Sequence, residues 1–150
     1  MRALTLLLGL VLCGNLTAEH GKVAPVVMME EALRDMLARP ADKEPFVIFT
    51  DKKTKHFVQY SYDEDGLYMD IPLIDRSKEE VERLARVFGS IGVERPVANT
   101  ARDVKTKKPF VIRAYQAGFA KDASKAARFG IRVFREAYLL KQLSITIETE

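Results

Sequence analysis

The chain is poor in the residues from which most reactive sites are made. Its 150 residues include one cysteine, Cys13, and two histidines, His20 and His56. A lone cysteine excludes an internal disulfide, so stability has to come from a packed core. Without a second thiol or a histidine cluster there is no material for the usual zinc sites or for a Cys-His pair, and no metal or cofactor is expected. Neither a glycine-rich phosphate loop nor a dinucleotide fingerprint occurs. Eight glycines and six prolines are too few for a fibrous or low-complexity chain. The formal net charge of +3, set by 24 basic and 21 acidic residues, is too small to indicate nucleic acid.

The chain does hold enough apolar material, 47% of its residues, for one core. The first residues are of a different kind. Arg2 precedes an apolar run from Ala3 to Leu12, and Leu16-Thr17-Ala18 puts a small residue before Glu19. That pattern predicts a secretory signal peptide over residues 1–18, a periplasmic or secreted location, and one domain over residues 19–150. The run is too short to span a bilayer as a helix, which takes about 20 apolar residues. Cys13 raises a second option, a lipoprotein anchored at that residue, although Leu12 is bulky where such signals carry a small residue.

The densest β signal is Phe46 to Pro72. An apolar run from Phe46 to Phe49, a β-branched and aromatic run from His56 to Tyr62, and the alternation of Leu67, Met69 and Ile71 predict three antiparallel strands. Asp63-Glu64-Asp65-Gly66 supplies the second turn, with a glycine able to adopt positive φ. Ahead of these strands, Val26, Met29, Leu33, Met36 and Leu37 recur at helical spacing between Pro25 and Pro40. Behind them, Ser77-Lys78-Glu79-Glu80 reads as a capping box that opens a second helix. Val93 to Lys108 has no clear period and reads as a long loop, basic at Arg102, Lys105, Lys107 and Lys108, or as cover for a short strand near Val97. Phe110 to Phe119 reads as a strand, Ala123 to Lys141 as a third helix capped by Asp122, and Leu143 to Ile147 as a final strand. The predicted order is α-β-β-β-α-β-α-β, an α+β fold with an antiparallel sheet of about five strands and three helices.

Two surfaces stand out as candidate contacts. Lys125, Arg128, Arg132 and Arg135 recur every three or four residues on the third helix and form a basic stripe suited to an acidic protein or to anionic lipid headgroups. Tyr60, Tyr62, Tyr68 and Tyr115 lie in strands whose neighbouring residues alternate between faces, so some must point away from the packed face. They either form an aromatic patch on an uncovered sheet face, suited to a peptide or another protein, or lie under a second helix. A catalytic alternative, a small hydrolase or metal-assisted enzyme, would join His56 to Asp63, Asp65 or Asp70. Asp63-Glu64-Asp65-Gly66 opens like a calcium loop, but no glutamate closes it at the required distance.

The segments PFVIF, KHFVQYS and GLYMDIP, followed by a capped helix, and the later KAARFGIRVFREAYLL and LSITIE, resemble uncharacterised bacterial proteins similar to the TY-Chap and YbjN-like domains. The fold of that group is related to the type III secretion chaperones. The resemblance spans roughly Val26 to Glu148 and rests on apolar and turn positions. It implies a compact α+β domain used for protein binding or chaperoning, often as a homodimer, without a cofactor. Joined to the export-like start, the small net charge and the poor catalytic inventory, it leads to the expectation of a non-enzymatic protein-binding or chaperone-like module of the bacterial cell envelope that binds no nucleic acid. The chain differs from the secretion chaperones in being basic where they are usually acidic and in carrying an export-like start.

Overall fold

The computed structural model describes residues 23–149 apart from residue 104. The proposed signal peptide and the Cys13 lipidation site therefore lie outside the described residues. Helix α1 spans Pro25–Leu37, followed by a 3-10 turn at Ala41–Lys43. Strands β1 (Phe46–Asp51), β2 (Phe57–Asp63) and β3 (Gly66–Pro72) form a meander. Helix α2 covers Lys78–Gly89, and β4 (Val97–Arg102) and β5 (Pro109–Gly118) form a second hairpin. Helix α3 runs from Ala123 to Arg132 and continues as a π-helical turn, Val133–Ala137, before β6 (Ile145–Thr149). The sheet is wholly antiparallel, in the order β4-β5-β3-β2-β1-β6.

The α+β class is as expected, with six strands where about five were predicted. The added strand is β4, inside the segment read as a long loop or as cover for a short strand near Val97, where β4 begins. Its sequence VANTAR has no apolar alternation, because an edge strand in this position gains its order from pairing with β5 rather than from burial of one face. The third helix is shorter than predicted. Its regular part ends at Arg132, and Tyr138 and Leu140 then bond back five and six residues, to the carbonyls of Val133 and Phe134.

Local chemistry explains most of these elements. Pro25 occupies the first turn of α1, where a missing N–H costs nothing. Ser77 accepts a hydrogen bond from the Glu80 amide at 3.2 Å, and Asp122 accepts one from the Lys125 amide at 2.8 Å. Gly66, at φ +116, closes the two-residue turn between β2 and β3. A Cβ there would come within 2.7 Å of the Ala120 carbonyl oxygen, so this position needs glycine for space as well as for φ.

All three helices pack on one face of the sheet. Val47 and Phe49 of β1, Val58, Tyr60 and Tyr62 of β2, Leu67, Met69 and Ile71 of β3, and Tyr115 and Ala117 of β5 point to that face by register. They meet Met29, Leu33 and Met36 of α1, Leu84, Val87 and Phe88 of α2, and Ala126, Ala127 and Phe129 of α3. Phe88 stacks on Tyr115 at 5.0 Å and meets Phe129 edge-on at 5.1 Å, a geometry that aromatic quadrupoles favour. Helices α1 and α3 pack closely where Gly130 lets Met29 and Tyr60 approach its backbone. The opposite face carries half-buried Phe46, Ile48, Phe57 and Tyr68, with Asp70 fully buried among them. Among the described residues no helix lies on it.

Candidate functional site

The structure divides the tyrosines predicted as contacts. Tyr60 is fully buried and Tyr62 is 7% exposed, both on the face under the helices, so neither belongs to a contact surface. The reason is register: the β2 positions that face the helix layer are the even ones from 58 to 62, a parity that sequence alternation left undetermined. Tyr68 stands on the other face, half-buried, and burial raises its phenol above the ordinary range.

His56 is not joined to the carboxylates proposed for it. Asp63 closes β2 at the far end, roughly 20 Å along the strand, and Asp65 lies in the turn beyond. Asp70 pairs with Gln59 and so faces away from the helix layer, on the side opposite His56. Its carboxylate accepts from the Gln116 amide at 3.1 Å, leaving one buried oxygen without a hydrogen-bond partner among the described residues, and burial pushes its pKa up to about 6.

His56 instead meets Glu80, a residue read only as a helix cap. Its Nε2 lies 3.2 Å from Glu80 Oε2. The Arg76 guanidinium binds the other oxygen of Glu80, and its Nε donates to the Pro72 carbonyl at 2.6 Å. Tyr138 completes the cluster: its ring lies 4.5 Å from the imidazole and 5.1 Å from the Arg76 guanidinium, and its hydroxyl donates to the Phe57 carbonyl at 3.0 Å. Burial alone would raise the Glu80 carboxyl, but hydrogen bonds from Arg76 and His56 outweigh it and hold the group below its ordinary value. Burial raises the Tyr138 phenol well above its own.

A shallow cleft of about 240 Å³ opens beside this cluster, lined by Lys55, His56, Ile74, Asp75, Arg76 and Glu80 among others. Its chemistry is that of a fastener. Nε2 of His56 is engaged by Glu80, and Nδ1 is buried without a hydrogen-bond partner among the described residues, so no free ring nitrogen faces the cleft. The cluster ties β2, the β3–α2 connection and the π-helical turn together, and Arg83 adds a 2.6 Å bond to the Ala137 carbonyl. No local signal marked it, since its members lie up to 82 positions apart in sequence, from His56 to Tyr138.

The basic stripe lies at the surface, as its spacing required, but it is not uniform. Arg132 is held by Glu136 through bonds of 2.9 and 3.1 Å and leans on the Phe129 ring, which takes it out of the stripe. Lys125 and Arg135 are exposed and make no ion pair among the described residues. Arg128 is exposed, bonds Ser124 at 2.6 Å, and is near enough to help lower the Glu30 carboxyl, whose main influence is the Arg34 hydrogen bond.

Between the start of α1 and α3 lies a groove of about 200 Å³. Pro25, Val26 and Ile131 form its apolar floor, and Arg128 and Arg135 stand at its rim. No protein-family model, curated protein or solved structure matches this chain. The groove therefore rests on its own geometry: two cations seven residues apart, Arg128 on α3 and Arg135 on the π-helical turn that continues it, about 10 Å along the axis, flanking an apolar strip.

Proposed function

We propose that this chain is a non-enzymatic, chaperone-like binding module of the bacterial cell envelope, which takes an extended acidic segment of a protein partner into the groove between α1 and α3. The observation that carries the reading is the pairing of the Arg128 and Arg135 guanidinium groups with an apolar floor, the arrangement expected of an interface with a dry centre and a charged rim. A segment in the extended polyproline II conformation advances about 3.1 Å per residue and repeats its direction every third residue, so carboxylates three residues apart match the two arginines, with an apolar side chain between them turned to the floor. Guanidinium groups bind carboxylates through paired N–H donors, which fixes direction as well as affinity. The engaged and buried nitrogens of His56 favour a binding role over a hydrolytic one. The export-like first 18 residues support the envelope as the site of action.

The reading is tested by fluorescence anisotropy with a labelled extended peptide carrying two glutamates three residues apart around a leucine. Reversal of both arginines, Arg128→Glu with Arg135→Glu, is expected to weaken binding by at least tenfold, given about 1.5–3 kcal/mol for a hydrogen bond to a charged group. Unchanged affinity in the folded double variant would remove the groove from consideration.

A further inference from the structure

The β4–β5 hairpin does more than close the edge of the sheet. Strand β3 pairs with β5 only from Ala114 to Gly118, with one further bond from the Leu73 amide to the Arg113 carbonyl at 2.8 Å. Strand β4 pairs with β5 from Pro109 to Ala114. Among the described residues, 109–112 of β5 therefore have β4 on one side and no strand on the other. The hairpin extends past the body of the sheet as a two-stranded arm, about 15 Å long before its turn.

The arm is strongly basic. Arg102, Lys105, Lys107, Lys108 and Arg113 are all exposed, against one carboxylate, Asp103. That carboxylate is occupied with shaping the tip, accepting from the Thr106 amide at 2.6 Å, the Lys105 amide at 3.0 Å and the Thr106 hydroxyl at 2.9 Å. None of the five cations makes an ion pair among the described residues. Apolar side chains lie open beside them: Val111 is 67% exposed, Val97 40% and Phe110 38%, whereas Ala101 and Ile112 are buried.

We infer that this arm docks the protein on an anionic phospholipid surface, Lys105, Lys107 and Lys108 reaching the headgroup phosphates while Phe110 and Val111 enter the boundary between headgroups and acyl chains. Charge complementarity identifies the occupant. Lysines at a tip bind phosphate as point charges, without requiring the fixed geometry of a base edge. An open valine has no stacking role against a nucleic-acid base but gains by leaving water at a membrane interface. Among the described residues no helix is long and apolar enough to cross a membrane; the contact made by the arm is a surface one, a few apolar side chains and a cluster of cations. This surface is separate from the α1–α3 groove and does not depend on a partner being bound there.

The experiment is co-sedimentation of the full chain with phosphatidylcholine vesicles made with and without phosphatidylserine, alongside two variants. The parent chain is expected to sediment with the anionic vesicles and to be released as salt is raised. Each lysine near an anionic surface is worth about fivefold in partitioning, so Lys105→Gln, Lys107→Gln and Lys108→Gln combined should lower it about 100-fold. The chain has no tryptophan, so Phe110→Trp gives a single emission reporter, expected to shift to the blue on anionic vesicles. Equal sedimentation of the triple variant would overturn the proposal, as would unshifted emission in vesicle-bound Phe110→Trp. Tight binding to a DNA duplex that survives Val111→Ser, with no vesicle binding, would assign the arm to nucleic acid instead.

Discussion

The Tyr60 hydroxyl donates a 2.7 Å hydrogen bond to the Ala126 carbonyl, joining the centre of β2 to the first turns of α3 through the core. Burial raises this phenol well above its ordinary value, so it stays a neutral donor. Tyr60→Phe should cost about 1 kcal/mol and Tyr60→Ala roughly 3–5 kcal/mol in urea unfolding. Neither change reaches the surface, so Tyr60→Phe should leave acidic-peptide affinity unaltered. A loss of affinity without a loss of stability would return Tyr60 to the contact surface.

Asp70 sets a pH dependence of definite sign. Its pKa is about 6 in the folded chain against an ordinary 3.8, so between those values the folded state holds a proton that the unfolded state has released. Its contribution to stability is therefore greatest below about pH 4 and falls as pH rises towards 6. Asp70→Asn should stabilise the protein at pH 7 by about 1–3 kcal/mol and remove this part of the pH profile. Chemical denaturation at several pH values checks it; an unchanged profile in the variant would refute the assignment.

Glu80 has the opposite sign. Its carboxyl is held below the ordinary 4.5, so the stability it contributes is present above that value and is lost as pH falls below it. Glu80→Gln removes the bridge between His56 and Arg76 and should cost about 1–3 kcal/mol at pH 7, with the difference from the parent chain shrinking in acid. A difference that stays constant down to pH 3 would show that the cluster acts through packing alone.

Gly66→Ala should destabilise by more than about 2 kcal/mol, because positive φ and the Ala120 backbone both oppose a Cβ. Ala120 receives the Leu67 amide at 2.6 Å, so the clash falls on the junction of β3 with the β5–α3 connection. Thermal unfolding measures the effect. Near-parental stability would mean that the turn relaxes freely.

The sequence by itself determined the elements whose signals are local. Pro25, Ser77 and Asp122 open the three helices, Gly66 closes a hairpin, and the alternation around Leu67, Met69 and Ile71 makes a strand with one face in the core. Helical spacing also sufficed to bring Lys125, Arg128 and Arg135 to the surface. Tertiary structure decided what depends on partners remote in the chain. It made VANTAR a strand by offering β5 as a template and put Tyr60 and Tyr62 inside by fixing which parity of β2 meets the helices. It also turned Glu80 from its expected cap role towards His56 and Arg76, because a carboxylate binds cations more strongly than it binds a neutral amide. Register, edge pairing and long-range charge contacts carry no local period, so only the folded chain reveals them.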